Sequence, residues 1–343
     1  MKIRSLAFAS LFVLSVASAS ATTITENFTN NPAADGWQVF GNTNSFVWNS
    51  ASNNLAVTWD SRRTNSYFYH PLETILTRDD DFSIAFDLNL SDIASGIEPF
   101  KTGPIQIALG FVKFSTVSDS NFGRGVYGGA PNIAEFDYYT DGYYDGGSFG
   151  IFPSAAATVP SFISGVDSFD YCPASISPFD NVLPTNQTVH ITMTYTASNQ
   201  TAVVTFTNNG IALGSLPPLA LIPANGFATN DNFYADTFSI SSYSSFGDDY
   251  DSVLAHGTVA HLAVTVPPPP VQNLSGSFSG SQWQVQFLSR SNWQYTLQRT
   301  ADFQTWTDVS ATTSGTATNL FLQDTNVPVD KGFYRVKADR PSI

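Results

Sequence analysis

Between residues 135 and 145 the chain gathers oxygen donors and aromatic rings at spacings that could do chemistry: Glu135, Asp137, Tyr139, Asp141, Tyr143, Tyr144 and Asp145. The stretch opens as a strand pattern, and on a pleated strand alternate side chains share a face. Glu135, Asp137 and Tyr139 are then expected to point one way and Phe136 and Tyr138 the other, so that two carboxylates project together. Asp141 and Asp145 follow, and Gly142, Gly146 and Gly147 leave the backbone free to fold their oxygens back towards the first pair. Such a unit suits a hard cation, since calcium takes about six to eight oxygens from carboxylates and main-chain carbonyls. The tyrosines suit a second task. An exposed tyrosine offers an apolar ring face and a hydroxyl, the pairing that holds a sugar's C–H face and its hydroxyls. Tyr143 and Tyr144, set between glycines and acids, are the candidate sugar contacts, whereas Tyr138 is expected in the core with Phe136.

The run Glu135-Phe136-Asp137, with Tyr139, Asp141 and Asp145 behind it, resembles the metal loop of legume-type lectins. That resemblance implies a calcium ion held by Asp137, the Tyr139 carbonyl, Asp141 and Asp145. No histidine follows in the loop where those lectins place a transition-metal ligand.

A loop of this kind needs a scaffold, and the flanking sequence supplies strands. Phe82, Ile84, Phe86, Leu88 and Leu90 alternate with polar residues, as do Val189, Ile191, Met193 and Tyr195, while Ala202, Val204 and Phe206 answer across a turn at Ser198-Asn199. Further strands are expected over Gly36 to Phe40, Asn54 to Trp59, Ile105 to Phe114, Phe233 to Ser242 and Thr258 to Val266. No long amphipathic helix is evident. Many short alternating segments joined by turns rich in Asn, Gly, Ser and Pro predict an all-β, antiparallel sandwich. Pro267 to Pro270 cannot enter a sheet interior, so residues 22–266 form one predicted domain, 267–271 a stiff linker and 272–343 a small second β-sandwich. In that tail Trp283, Val285 and Phe287 alternate, and Phe333 to Val336 reads as the last strand.

Composition narrows the partners. Lys2 and Arg4, an apolar run from Leu6 to Val16 and small residues up to Ala21 predict a bacterial-type signal peptide over 1–21, hence a secreted, extracellular or periplasmic protein. No other run is long and apolar enough to enter a bilayer. The chain has 14 Lys and Arg against 28 Asp and Glu, which makes nucleic acid and anionic membranes poor partners and a polysaccharide or other glycan a suitable one. Cys172 is the only cysteine, so no intrachain disulfide can form.

Asp35-Gly36-Trp37, the E-F-D strand, Phe238 to Tyr243 and Ala255-His256-Gly257 together resemble concanavalin A-like lectin and glucanase sandwiches of secreted bacterial proteins. Tyr295 to Gln298, Trp306 and Gly332 to Val336 resemble small fibronectin- or immunoglobulin-like modules. The resemblance implies a large jelly roll followed by a small sandwich. It also implies a lectin-like, carbohydrate-binding or adhesive protein, or alternatively a glycoside hydrolase. Glucanases of this fold carry E-x-D-x-E or E-x-D-x-x-E on one strand, and retaining hydrolysis needs two carboxylates about 5–5.5 Å apart. Glu135 and Asp137 match the first half, Tyr139 or Thr140 stands at the acid/base position, and Asp141 is one residue farther on. A structural module without ligand is the third reading. The histidines (His70, His190, His256, His261) lack zinc-site spacing, and the runs Asp79 to Asp81 and Asp248 to Asp251 are expected as solvated turns.

Overall fold

The computed structural model describes residues 21–101, 105–123, 133–139, 152–158, 183–215, 219–220, 234–245, 252–328 and 331–341. These form two compact units, Ala21–Pro268 and Pro269–Pro341.

The larger unit begins with β1 (Thr22–Glu26), β2 (Gln38–Phe40), β3 (Phe46–Asn49), β4 (Asn54–Asp60) and β5 (Ser66–Leu76). It continues through β6 (Phe82–Ser95), β7 (Gln106–Val112), a single helical turn α1 (Phe114–Val117), β8 (Ile133–Tyr139) and β9 (Phe152–Thr158). Then come β10 (Thr188–Thr196), β11 (Thr201–Asn208), β12 (Ile211–Ser215), β13 (Leu219–Ala220), β14 (Ala235–Ser242) and β15 (Val253–Val266). One antiparallel sheet runs β12-β11-β10-β6-β15-β4-β3, with β1 also on β15 and β13 on β11; the other runs β2-β5-β14-β7-β8-β9. The chain passes repeatedly from one sheet to the other, at β1–β2, β2–β3, β4–β5, β5–β6, β6–β7, β9–β10, β13–β14 and β14–β15, which is jelly-roll connectivity.

The period-two pattern does what alternation requires. Phe82, Ile84, Phe86 and Leu88 on β6 and Val189, Ile191, Met193 and Tyr195 on β10 are buried and paired across the ladder. They meet the second sheet through rings, with Phe82 at 4.9 Å from Phe111 and Phe86 at 5.7 Å from Phe136. Tyr138 lies in this core as expected, and its hydroxyl accepts from Leu183 N at 3.1 Å.

In the acidic run Asp79 to Asp81, the outer two residues are exposed as expected of a solvated turn and Asp80 is not. Asp80 is buried and accepts from Thr77 N (2.9 Å) and Thr77 Oγ1 (3.0 Å), and Asp81 accepts from Ala197 N (2.7 Å). These carboxylates close the β5–β6 turn and tie it to the β10–β11 turn, because main-chain N–H groups there need acceptors. Residues 248–251 lie outside the described residues.

The small unit packs β16 (Val271–Ser279), β17 (Gln282–Ser289) and β21 (Asn319–Asp324) as one sheet. Its other sheet is built on β18 (Gln294–Thr300), flanked by β19 (Thr307–Asp308), β20 (Thr313–Ser314) and β22 (Phe333–Asp339). Val285, Phe287, Leu288, Trp293, Tyr295, Leu297 and Leu322 are its buried apolar residues. Arg299 on β18 reaches buried Asp324 on β21 at 2.6 Å, joining the two sheets.

Candidate functional site

The six-stranded sheet turns one face to the core and the other away from it. In register, Tyr67, Ser241, Ala108 and Asp137 form one lateral row of that second face, and Tyr69, Ser239, Gly110 and Glu135 form the next. Glu135 and Asp137 therefore share a face of β8, but both are fully buried. They project together as expected, and they do so into the protein interior. A strand exposes its second face only where nothing covers it, and here β14 and β8 are buried on both faces. Glu135 Oε1 accepts from Tyr243 Oη at 2.5 Å and lies 3.5 Å from Ser241 Oγ, which is 2.8 Å from Ser239 Oγ. Gly110 lets the main chain of β8 approach here, since a Cβ there would stand 2.4 Å from Ala134 O and 2.5 Å from Glu135 Cα. Burial, with Glu135 as a nearby negative charge, raises the Tyr67 phenol far above its ordinary value.

Of the other expected site residues, Tyr139 contributes its main chain to the end of β8, opposite Gln106. Asp141, Tyr143, Tyr144 and Asp145 lie outside the described residues. Among the described residues no three His, Cys, Asp or Glu side chains converge as a metal site.

A cavity of about 550 Å3 opens elsewhere, at the edge of the same sheet. It is assembled from the end of β2, the β4–β5 turn, the segment after α1, the residues after β14, and Glu98 with Lys101. Asp60 organises the turn. It accepts from Arg62 N (3.2 Å), Nε (2.7 Å) and Nη2 (3.0 Å), and the Arg63 Nε is 3.4 Å away. Burial alone would raise the Asp60 carboxyl, but hydrogen bonds from Arg62 and the two guanidinium charges outweigh it and hold Asp60 below the usual range.

The remaining walls are pinned by side-chain amides and hydroxyls. Asn65 donates to Phe122 O (2.8 Å) and accepts from Ser244 N (2.8 Å). Ser245 Oγ stands 2.9 Å from Lys101 Nζ and 2.9 Å from Glu98 Oε2. Gly41 sits at φ 80°, and a Cβ there would fall 2.4 Å from Asn65 O, so only glycine lets the chain pass and set Phe40 in the cavity wall. Phe40 stacks on Tyr67 and meets Phe114 edge-on.

Behind the lining residues Val117 and Phe122 lie Tyr67, whose hydroxyl donates to Val117 O (2.9 Å), and Tyr243, 6.2 Å from the Phe122 ring. Glu135 thus stands behind the cavity and does not line it.

Sequence reasoning missed Arg62, Arg63, Lys101, Phe40 and Asn65. The signal was in the chain: Arg62-Arg63 is a cation pair between two strand patterns in a sequence poor in cations. The histidines are engaged. His190 and His261 place their Nδ1 atoms 2.7 and 2.8 Å from the two oxygens of Asp87, and His256 pairs with Asp92 at 2.7 Å.

No family model matches the chain, and no curated protein matches it. Among solved structures it is similar in outline to peanut lectin bound to a nine-residue peptide, with 15% identity over 73% of this chain and 100% of the lectin and a TM-score of 0.38. The Lotus tetragonolobus seed lectin gives 9% identity over 73% and 100%, with a TM-score of 0.42. Lectin II from Ulex europaeus gives 12% over 73% and 99%, also at 0.42.

Proposed function

We propose that the chain is a lectin-like glycan-binding protein and that the cavity at the edge of the six-stranded sheet receives the sugar. The make-up of the cavity carries this reading. The Phe40 ring, the Asn65 amide, serine hydroxyls and side chains of both charges share one space of about 550 Å3, within the range of about 300–1,000 Å3 usual for small-molecule sites. A pyranose presents an apolar C–H face and a rim of hydroxyls that donate and accept, and a ring beside mixed donors and acceptors meets both. Hydrolysis is the second reading, carried by the Glu135 and Asp137 pair. Paired-carboxylate chemistry needs both groups at the sugar, whereas these two are fully buried and Glu135 is engaged by Tyr243.

Three finer features belong to the same proposal. Calcium is held through Asp137, the Tyr139 carbonyl, Asp141 and Asp145; Asp137 is buried near the end of β8 that leads to the other ligands, and a cation offsets the cost of burying a carboxylate. Residues 1–21 direct export. The tail is a fibronectin- or immunoglobulin-like module, for which its two facing sheets speak.

The test is a glycan array together with a reducing-end assay on mixed-linkage glucan, laminarin, agar and carrageenan, with and without chelator. Retention without turnover, weakened about tenfold by Phe40→Ala, is expected. Turnover abolished by Glu135→Gln would make the protein a hydrolase, and absence of any retention would leave it a structural module.

A further inference from the structure

Six cations stand between residues 21 and 268, namely Arg62, Arg63, Arg78, Lys101, Lys113 and Arg124, in a chain of net charge −14. Three of them, Arg62, Arg63 and Lys101, line the one cavity described above. We infer that this cavity selects an anionic sugar unit, one bearing a carboxylate or a sulfate ester; the inference rests on the glycan-binding reading and names its ligand class.

The geometry decides which nitrogens are available. Asp60, itself buried, takes the Nε edge of Arg62 bidentately and lies 3.4 Å from the Nε of Arg63. The bidentate contact fixes the guanidinium of Arg62, while Arg63 is held only by the ion-pair contact, makes no side-chain hydrogen bond among the described residues, and is 64% exposed. Lys101 spends donors on Ser245 O (3.2 Å) and Ser245 Oγ (2.9 Å) and keeps one. Asp60 balances one of the two guanidinium charges. Glu98 and Asp119 also line the space, but Glu98 Oε2 already accepts from Ser245 Oγ (2.9 Å) and Asp119 Oδ1 from Asn121 N (2.8 Å).

A neutral glycan needs no cations. An anionic one approaching a surface of this sign is repelled unless fixed cations await it, and a planar guanidinium fork matches a carboxylate or sulfate edge. Arg62 and Arg63 on one turn, with Lys101 in the same cavity, supply that recognition.

The experiment measures affinity of the full chain for four polymers in two matched pairs: polygalacturonate and its methyl ester, and carrageenan and its desulfated form. Each is run at low and high salt, on wild type, Arg63→Gln, Lys101→Met and Phe40→Ala. Expected is tighter binding of at least one charged polymer than its uncharged partner, weakening with salt, and a loss of about tenfold or more with Arg63→Gln. The pair that responds tells carboxylate from sulfate. Melting curves of Arg63→Gln should match wild type, since the side chain is exposed, and Lys101→Met provides a second reading if they do not. Equal binding within both pairs, with Phe40→Ala harmful but Arg63→Gln and Lys101→Met silent, overturns the charge selection and leaves glycan binding standing. Binding to none of the four, or binding indifferent to Phe40→Ala, overturns both.

Discussion

Glu135 is held by what surrounds it, and single atoms decide the cost of disturbing it. Gly110→Ala would drive a Cβ against main-chain atoms of β8, which cannot rotate away; overpacking of this kind costs about 1–3 kcal/mol or more, and urea unfolding should show a lower midpoint at unchanged slope. Tyr243→Phe removes the hydroxyl that donates to Glu135 Oε1, with an expected loss of about 1–3 kcal/mol.

Two buried carboxylates should give opposite pH signatures. Glu26, whose Oε1 accepts from Phe28 N, has its carboxyl raised, mainly by burial. A raised group contributes stability that is full below its unfolded value of about 4.3 and is lost as pH rises through the folded value. Relative to Glu26→Gln, wild type should therefore gain as pH falls through the carboxylate range. Asp60 is lowered in the fold, so its contribution is full above about 3.9 and is lost as pH falls through its depressed value. Relative to Asp60→Asn, wild type should lose stability over that interval. Parallel pH profiles for wild type and both variants would show that neither carboxylate is coupled to folding.

At the scale of elements, the β5–β6 turn separates acids that look alike in sequence. Asp79 is exposed, whereas Asp80 closes the turn on Thr77. Asp80→Ala should cost about 1–2 kcal/mol, as loss of a capping carboxylate does, while Asp79→Ala should stay within about 0.5 kcal/mol of wild type. Thermal unfolding of the two variants side by side distinguishes them, and equal effects would refute the assignment. β15 shows how one edge of a strand serves two neighbours while the other edge pairs with β6. Its first half pairs with β4 and its second with β1, and the register shift between Ala260 and Ala263 falls at the changeover, where His261 sits at φ 47° and meets Asp87. A bulge places an extra residue on one face, which is how His261 escapes the alternation that a regular strand would impose.

For the whole molecule, the two compact units meet in sequence within the proline run. A chain ending at Pro268 is expected to unfold in one cooperative transition, measured by calorimetry; an insoluble or non-cooperative product would mean that the tail completes the first core. Calcium binding to the native chain alone would add about 2.7 kcal/mol at a hundredfold excess over Kd. Excess EDTA should therefore lower the melting temperature of protein first shown to contain the metal.

The sequence alone determined the local choices. The alternation of Phe82 to Leu90 and of Val189 to Tyr195 sets strands and names their inward faces, because side-chain direction on a strand follows from backbone geometry without help from the rest of the chain. The same rule places Glu135 and Asp137 on one face of β8 and Tyr138 on the other. What the rule cannot say is whether the second face meets water. That depends on segments distant in sequence, and it made Glu135 a buried acceptor of Tyr243, 108 positions away. The cavity was hidden for the same reason: Phe40, Arg62, Lys101, Phe122 and Ser245 come from five separate stretches and share no periodicity. Their meeting is a product of long-range strand pairing, whose partners are selected by packing across the whole sandwich and not by any single stretch.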